Sequence, residues 1–85
     1  MDNKIQEKIE RIKIKAELFF KEKINTFIID INKTWYSCKI IKINDSFCLI
    51  NNFEGDDVGI TQKLYYSDII KLDEYKKKEE MNERS

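Results

Sequence analysis

Acid–base and nucleophilic chemistry has few candidate residues in this sequence. The chain contains no histidine, and histidine or a pair of pocketed carboxylates usually carries such chemistry. The remaining candidates are Asp30, Asp45, Asp68 and the thiols of Cys38 and Cys48. Asp45 and Asp68 fall in predicted turns, and we expect Asp30 to face outward from an apolar strand. The sequence therefore predicts no catalytic residue, and the chain is not expected to be an enzyme.

Metal and cofactor sites lack the residues that they need. With two cysteines and no histidine, one chain cannot supply four Cys or His ligands to zinc. The acidic cluster at 54–57 lacks the alternating ligand spacing of a calcium loop. Cys38 and Cys48 could form a redox switch or share a metal between subunits, but free cysteines more often pack as small hydrophobic residues. We expect no metal, no cofactor and no small-molecule substrate.

Aromatic residues next to lysines are the strongest candidates for binding. Two aromatic pairs lie at strand ends, and adjacent strand residues point to opposite faces, so one ring of each pair can be displayed. A displayed ring beside a lysine could stack an unpaired base or contact a protein partner, and cross-strand packing explains the same rings equally well. The candidate binding residues are Trp35, Tyr36, Tyr65, Tyr66, Lys33, Lys39 and Lys63.

The overall charge argues against a dedicated binder of duplex DNA. The chain has 16 basic and 16 acidic residues, whereas phosphate contacts give such proteins a basic face and a basic composition. Any contact with nucleic acid must therefore depend on the local placement of lysines and on aromatic stacking.

The first element that must position these residues is a predicted helix over 3–22. Its apolar residues recur at spacings of four and three, which places them on one side of a helix; they are Ile5, Ile9, Ile12, Ala16 and Phe19. Ile14 and Leu18 lie four residues apart on the opposite side. We expect these two residues to form an oligomer contact.

From residue 24 the pattern changes to an alternation rich in β-branched and aromatic residues, which is typical of strands. The predicted strands are 26–31, 35–43, 46–53, 60–66 and 69–72. Their apolar phase predicts a core of Phe27, Ile29, Ile31, Ile40, Leu49, Leu64, Ile70 and Leu72. The expected fold class is α+β, mainly β: an N-terminal amphipathic helix followed by a five-stranded antiparallel SH3/Sm-like small barrel.

A chain of 85 residues has room for one domain. We place that domain at 1–72, with the helix over 3–22 and the barrel over 24–72. The segment 73–85 is highly charged and has no apolar face, so it is expected to be a charged tail, either a frayed helix or disordered.

The layout resembles the Sm-like (LSm/Hfq-type) small β-barrels. The family's first motif is Gly-x-Leu-x-x-aromatic-Asp followed by an apolar-Asn pair, and here Ile40 and Ile43 keep its apolar positions. Cys38 replaces its glycine, Asn44 replaces its aspartate, and Phe47-Cys48 stands at its apolar-Asn pair. The second motif, an apolar residue then Arg-Gly, falls on Leu64-Tyr65-Tyr66, which lacks both the Arg and the Gly. The Hfq branch has Tyr-Lys-His in this region, and of these three residues only the tyrosine is kept here, as Tyr65.

The resemblance implies the barrel fold and assembly into a dimer or ring by edge pairing of the fourth and fifth strands. The family's uridine pocket uses the Asp, Asn and Arg that differ here, so that chemistry is not carried over. Tudor, SH3 and chromo-like barrels share the same gross layout.

Two hypotheses of function follow. The first is a non-catalytic Sm-like binding module that self-associates and contacts single-stranded RNA weakly. The alternative is a protein-interaction or structural adaptor module without nucleic-acid binding. No apolar run is long enough to span a membrane, and the charged start of the chain does not resemble a secretion signal. We therefore expect a cytoplasmic protein with reduced thiols and no membrane partner.

Overall fold

A single helix, α1 (Asp2–Lys21), begins the fold. The computed structural model describes residues 2–55 and 58–76. The predicted apolar stripe of α1 packs on the sheet: Ala16 and Phe19 are buried, and Ile9 and Ile12 are partly buried against the same core. Toward the N-terminus of α1 the apolar stripe is no longer packed on the sheet, as the 60% exposure of Ile5 shows. No helix of the described part of the chain is long and apolar enough to cross a membrane.

A left-handed lysine ends α1. Lys23 has a φ of 56°, its N–H donates to the carbonyl of Phe20, and the N–H of Ile24 donates to the carbonyl of Phe19 at 2.9 Å. This pair of bonds around a left-handed residue is the Schellman motif, in which glycine is usual because it has no Cβ to clash. The motif turns the chain from the helix into the first strand.

Five antiparallel strands follow the helix. Their bounds are β1 (Thr26–Asp30), β2 (Trp35–Ile43), β3 (Phe47–Asn52), β4 (Thr61–Tyr65) and β5 (Ile69–Glu74). The order across the sheet is β4-β3-β2-β1-β5, so β4 and β5 are its two ends. A short 3₁₀ turn, Tyr66–Asp68, connects them. The predicted helix followed by a five-stranded antiparallel, mainly β arrangement is confirmed at this level.

The predicted face of β1 is wrong by one residue. Ile28 and Asp30 point into the core, Phe27 and Ile29 are half-buried, and Ile31 lies beyond the strand and is 54% exposed. Apolar residues occur on both sides of this strand, so period-two patterning does not select a face. Packing decides it, because Ile28 pairs with the buried Leu72 of β5.

A similar one-residue error affects β5. Ile69 and Leu72 are buried, whereas Ile70, which we expected in the core, is 43% exposed. The register between β1 and β5 shifts between Ile29 and Asp30, so the alternation does not continue evenly along β5. The predicted face of β3 is also wrong, because Cys48 and Ile50 are buried, whereas Leu49, which we expected in the core, is half-buried on the opposite side of the strand. The predicted burial of Ile40, Leu64 and Leu72 is confirmed.

An irregularity in β2 places two consecutive residues on the surface. The register with β3 shifts between Ile40 and Lys42, and both Ile41 and Lys42 are exposed. Such a bulge bends the strand and increases its twist.

The last strand extends beyond the domain boundary expected at residue 72. β5 continues to Glu74, and the N–H of Tyr75 donates to the carbonyl of Asn25 at 2.9 Å. Ladder pairing with β1 therefore incorporates the start of the expected tail. Residues 77–85, the rest of that tail, lie outside the described residues.

Candidate functional site

The two thiols are unsuited to nucleophilic chemistry. Cys38 and Cys48 are both fully buried and unpaired. Burial raises the pKa of each thiol to about 12, and the thiolate is the reactive form. In the described part of the chain, no group of three or more His, Cys, Asp or Glu residues could hold a metal ion.

Asp30, which we expected to face outward, is a buried carboxylate with a structural role. It accepts hydrogen bonds from the backbone N–H of Asn32 at 2.9 Å, from that of Thr34 at 3.0 Å and from the hydroxyl of Tyr36 at 2.8 Å. Burial acts to raise the pKa of Asp30, but the hydrogen bonds outweigh it and hold the pKa below its usual value. These bonds hold closed the turn between β1 and β2, where Lys33 is exposed with a φ of 65°.

Two of the four candidate aromatic residues are directed inward. Tyr66 is 1% exposed and its hydroxyl donates to the carbonyl of Asn44 at 2.8 Å. Tyr36 is half-buried and holds Asp30. Trp35 and Tyr65 are the displayed members of their pairs, with exposed fractions of 69% and 43%.

The displayed rings do not form one site. Trp35 lies at the start of β2, opposite Ile29. Tyr65 lies opposite Phe47, at the beginning of β3, which is close to the end of β2. β2 has nine residues, and a strand rises about 3.3 Å per residue. The structure therefore divides the candidates between two surfaces at opposite ends of β2.

The first surface lies on the outer face of β2, β3 and β4. The rings of Phe47 and Tyr65 meet edge to face with centroids 5.5 Å apart, and the Nζ of Lys63 lies 4.6 Å and 5.6 Å from their centroids. The register places Lys42 and Lys63 on either side of Leu49.

We call this surface the lysine face: Lys39, Lys42, Phe47, Lys63 and Tyr65. Lys39 joins it through the next row of the register, opposite Asn51 and Thr61. The three strands contain these three lysines and no Asp or Glu. A chain of zero net charge thus concentrates positive charge on one side of its sheet. Lys42 and Phe47 are not among the residues singled out from the sequence, because only the strand register places them on the same face as Lys63 and Tyr65.

The second surface is an open cavity of about 850 Å³ beside β1, β2 and β5. We call it the aromatic groove: Phe27, Trp35, Glu54, Glu74 and Tyr75, all of which line it. Of these, only Trp35 was predicted as a binding residue. The sequence predicts Phe27 in the core and Tyr75 in the charged tail.

Two perpendicular ring pairs shape the aromatic groove. Phe27 and Trp35 have centroids 5.5 Å apart at 84°, and Tyr75 meets Phe53 at 5.0 Å and 86°. The hydroxyl of Tyr75 donates to Oε2 of Glu54 at 2.7 Å. These contacts hold the rings in position without covering Trp35.

The expected oligomer contacts are available at the surface. Ile14 and Leu18 of α1 are 60% and 50% exposed. β4 and β5 each pair with one strand within the described residues, β4 with β3 and β5 with β1.

Comparisons with protein-family models, curated proteins and solved structures produced no match to this chain. The lysine face and the aromatic groove are therefore the features from which a function is inferred.

Proposed function

We propose that this chain is a non-catalytic binding module, an Sm-like small β-barrel that self-associates and contacts single-stranded RNA. The observation that carries the RNA proposal is the lysine face, where Lys63 lies over the rings of Phe47 and Tyr65. Lys42 and Lys39 follow on the same face in the next rows of the register, and the three strands contain no carboxylate. Exposed aromatic rings stack unpaired bases regardless of sequence, and lysines contact the phosphates of the same strand.

Single strands fit this surface better than a duplex. Stacking on Tyr65 requires a base whose face is free, which a duplex does not offer. Three lysines neutralise few phosphates, so the affinity should be modest and should fall with added salt.

The test is fluorescence anisotropy with a short labelled oligouridine and a matching duplex, from roughly 50 to 200 mM salt. Tyr65→Ala should weaken single-strand binding by about 1–3 kcal/mol for one stacked base. Replacing Lys39, Lys42 and Lys63 together with Gln should reduce the salt slope by about 2.

A matched control makes the same change of charge on α1, where Lys4, Lys8 and Lys21 are exposed. If that triple Gln variant weakens binding as much as the lysine-face variant, binding follows net charge and the proposed RNA surface is wrong. Absence of single-strand binding at low salt would also reject it.

Self-association is supported by the two ends of the sheet and by α1. In natural proteins the edge strand of a sheet is usually paired with another chain, covered, or protected by charged residues and proline. β4 has little such protection, because it carries one charge, Lys63, and no proline. Ile14 and Leu18 add apolar area on the helix. We propose a dimer or ring, in a cytoplasmic location consistent with unpaired cysteines.

Sedimentation equilibrium at micromolar concentration tests the assembly. Leu18→Lys should weaken it if α1 forms the contact, and Ile70→Lys should weaken it if the β5 edge does. Both residues are exposed, so neither change should unfold the monomer. A mass of 10.3 kDa over the whole concentration range would contradict self-association.

A further inference from the structure

We propose that the aromatic groove is a second binding site, independent of the lysine face, that takes a cationic side chain, Lys or Arg, presented by a protein partner. The site combines the exposed indole of Trp35 with the rings of Phe27 and Tyr75 and the carboxylates of Glu54 and Glu74.

The rings provide the first part of this recognition. An ammonium or guanidinium group is attracted to the face of an aromatic ring, most strongly to tryptophan. Trp35 is 69% exposed, yet its orientation is set by the perpendicular contact with Phe27. A ring that is both exposed and held in place loses little freedom when a ligand binds.

The chain itself shows how a cation meets such rings. On the lysine face, the Nζ of Lys63 lies over Phe47 at 4.6 Å. In the aromatic groove, no lysine or arginine of the described residues lies over Trp35 or Phe27 in the same way. The Phe47–Tyr65 pair therefore already has a cation from the chain itself, whereas the Phe27–Trp35 pair is open to a cation from a partner.

The charges of the residues that line the groove provide the second part of this recognition. Asp73 already has cationic partners, because the Nζ of Lys15 lies 2.6 Å from its Oδ1 and that of Lys71 lies 3.9 Å from its Oδ2. Within residues 2–55 and 58–76, Glu54 and Glu74 form no salt bridge.

The lining as a whole has three carboxylates, Glu54, Asp73 and Glu74, against the two ammonium groups of Lys71 and Lys76. Glu54 and Glu74 are the two of these carboxylates that form no ion pair with a described residue. This balance favours a cationic side chain over the phosphates of a nucleic acid.

Trp35 is the sole tryptophan of the chain, so its fluorescence reports directly on the groove. The probes are end-blocked Ala-Lys-Ala, Ala-Arg-Ala and Ala-norleucine-Ala peptides, titrated at low salt. The cationic peptides should give a saturable change at a concentration at least twofold lower than the norleucine peptide.

Variants locate the interaction. Trp35→Ala, followed by NMR chemical shifts, should weaken the cationic peptides roughly twofold to thirtyfold. Glu54→Gln keeps an acceptor for the Tyr75 hydroxyl but removes the charge, and should weaken them roughly twofold to fivefold. Tyr65→Ala, on the other surface, is the matched control and should leave peptide binding unchanged.

Equal binding of the norleucine peptide would overturn the proposal in favour of a purely apolar surface. A larger response of Trp35 to oligouridine than to the peptides would overturn it in favour of nucleic acid. Because Tyr65→Ala affects only the RNA site, a failure of the RNA proposal and a failure of this one are distinguishable.

Discussion

The hydroxyl of Tyr36 donates a hydrogen bond to Oδ2 of Asp30 at 2.8 Å, across the turn that joins β1 to β2. Together with the backbone donors of Asn32 and Thr34, this bond allows a carboxylate to remain ionised in a core position. Buried charges are tolerated only when they are paired or hydrogen-bonded, so Tyr36 supports the turn that presents Trp35.

Removal of this bond should destabilise the fold in a pH-dependent manner. At neutral pH, Tyr36→Phe should lower the free energy of unfolding by about 1.5–3 kcal/mol, the range for hydrogen bonds to charged groups. The pKa of Asp30 is lowered in the folded state. Its ionisation therefore contributes stability that is present above the unfolded value of about 3.9 and lost as the pH falls through the folded pKa.

Urea denaturation from neutral to acidic pH measures this effect. The difference between wild type and Tyr36→Phe should shrink at low pH. Tyr65→Phe is the control, because the Tyr65 hydroxyl makes no hydrogen bond with the described residues. A constant difference at all pH values would show that Tyr36 acts through packing alone.

The corrected face of β1 gives a second prediction. Ile28→Ala should destabilise the protein by about 2–5 kcal/mol because the residue is fully buried. Ile31→Ala, at a 54% exposed position, should change stability by less than about 0.5 kcal/mol. Thermal and urea unfolding compare the pair, and the opposite ranking would restore the face expected from the sequence.

The left-handed residue after α1 gives a third prediction. Lys23→Gly should stabilise the fold by about 1 kcal/mol, because glycine avoids the steric penalty of a positive φ. Lys8→Gly, at an exposed position inside α1, should instead destabilise it by a similar amount. The two melting temperatures should therefore move in opposite directions, and parallel shifts would contradict the Schellman cap.

The buried thiols give a fourth prediction. A pKa of about 12 for Cys38 and Cys48 lowers their thiolate fraction at pH 8 roughly thousandfold relative to a pKa of 9. A thiol-reactive disulfide reagent should label the native protein far more slowly than the urea-unfolded protein. Equal rates would show that the core around these residues opens freely.

The sequence by itself determined the order and type of the elements. The apolar spacing of α1 and the alternation in β2 and β4 leave one face for the core in each case, and the predicted burial of Ile40 and Leu64 is confirmed. The complete absence of histidine is equally a property of the sequence. The elements can be predicted locally, because the spacing of apolar residues within one segment is enough to distinguish a helix from a strand.

Tertiary structure decided which face of β1, β3 and β5 is buried and which candidate residues meet. β1 has apolar residues on both sides, so only pairing with β5 and the bonds to Asp30 select Ile28. Register likewise separates Trp35 from Tyr65 and adds Phe47 to one surface and Tyr75 to the other. Cross-strand neighbours depend on register and on bulges. Alternation within one strand carries no information about either. For that reason the sequence predicts candidate binding residues but does not divide them between the two surfaces that the fold presents.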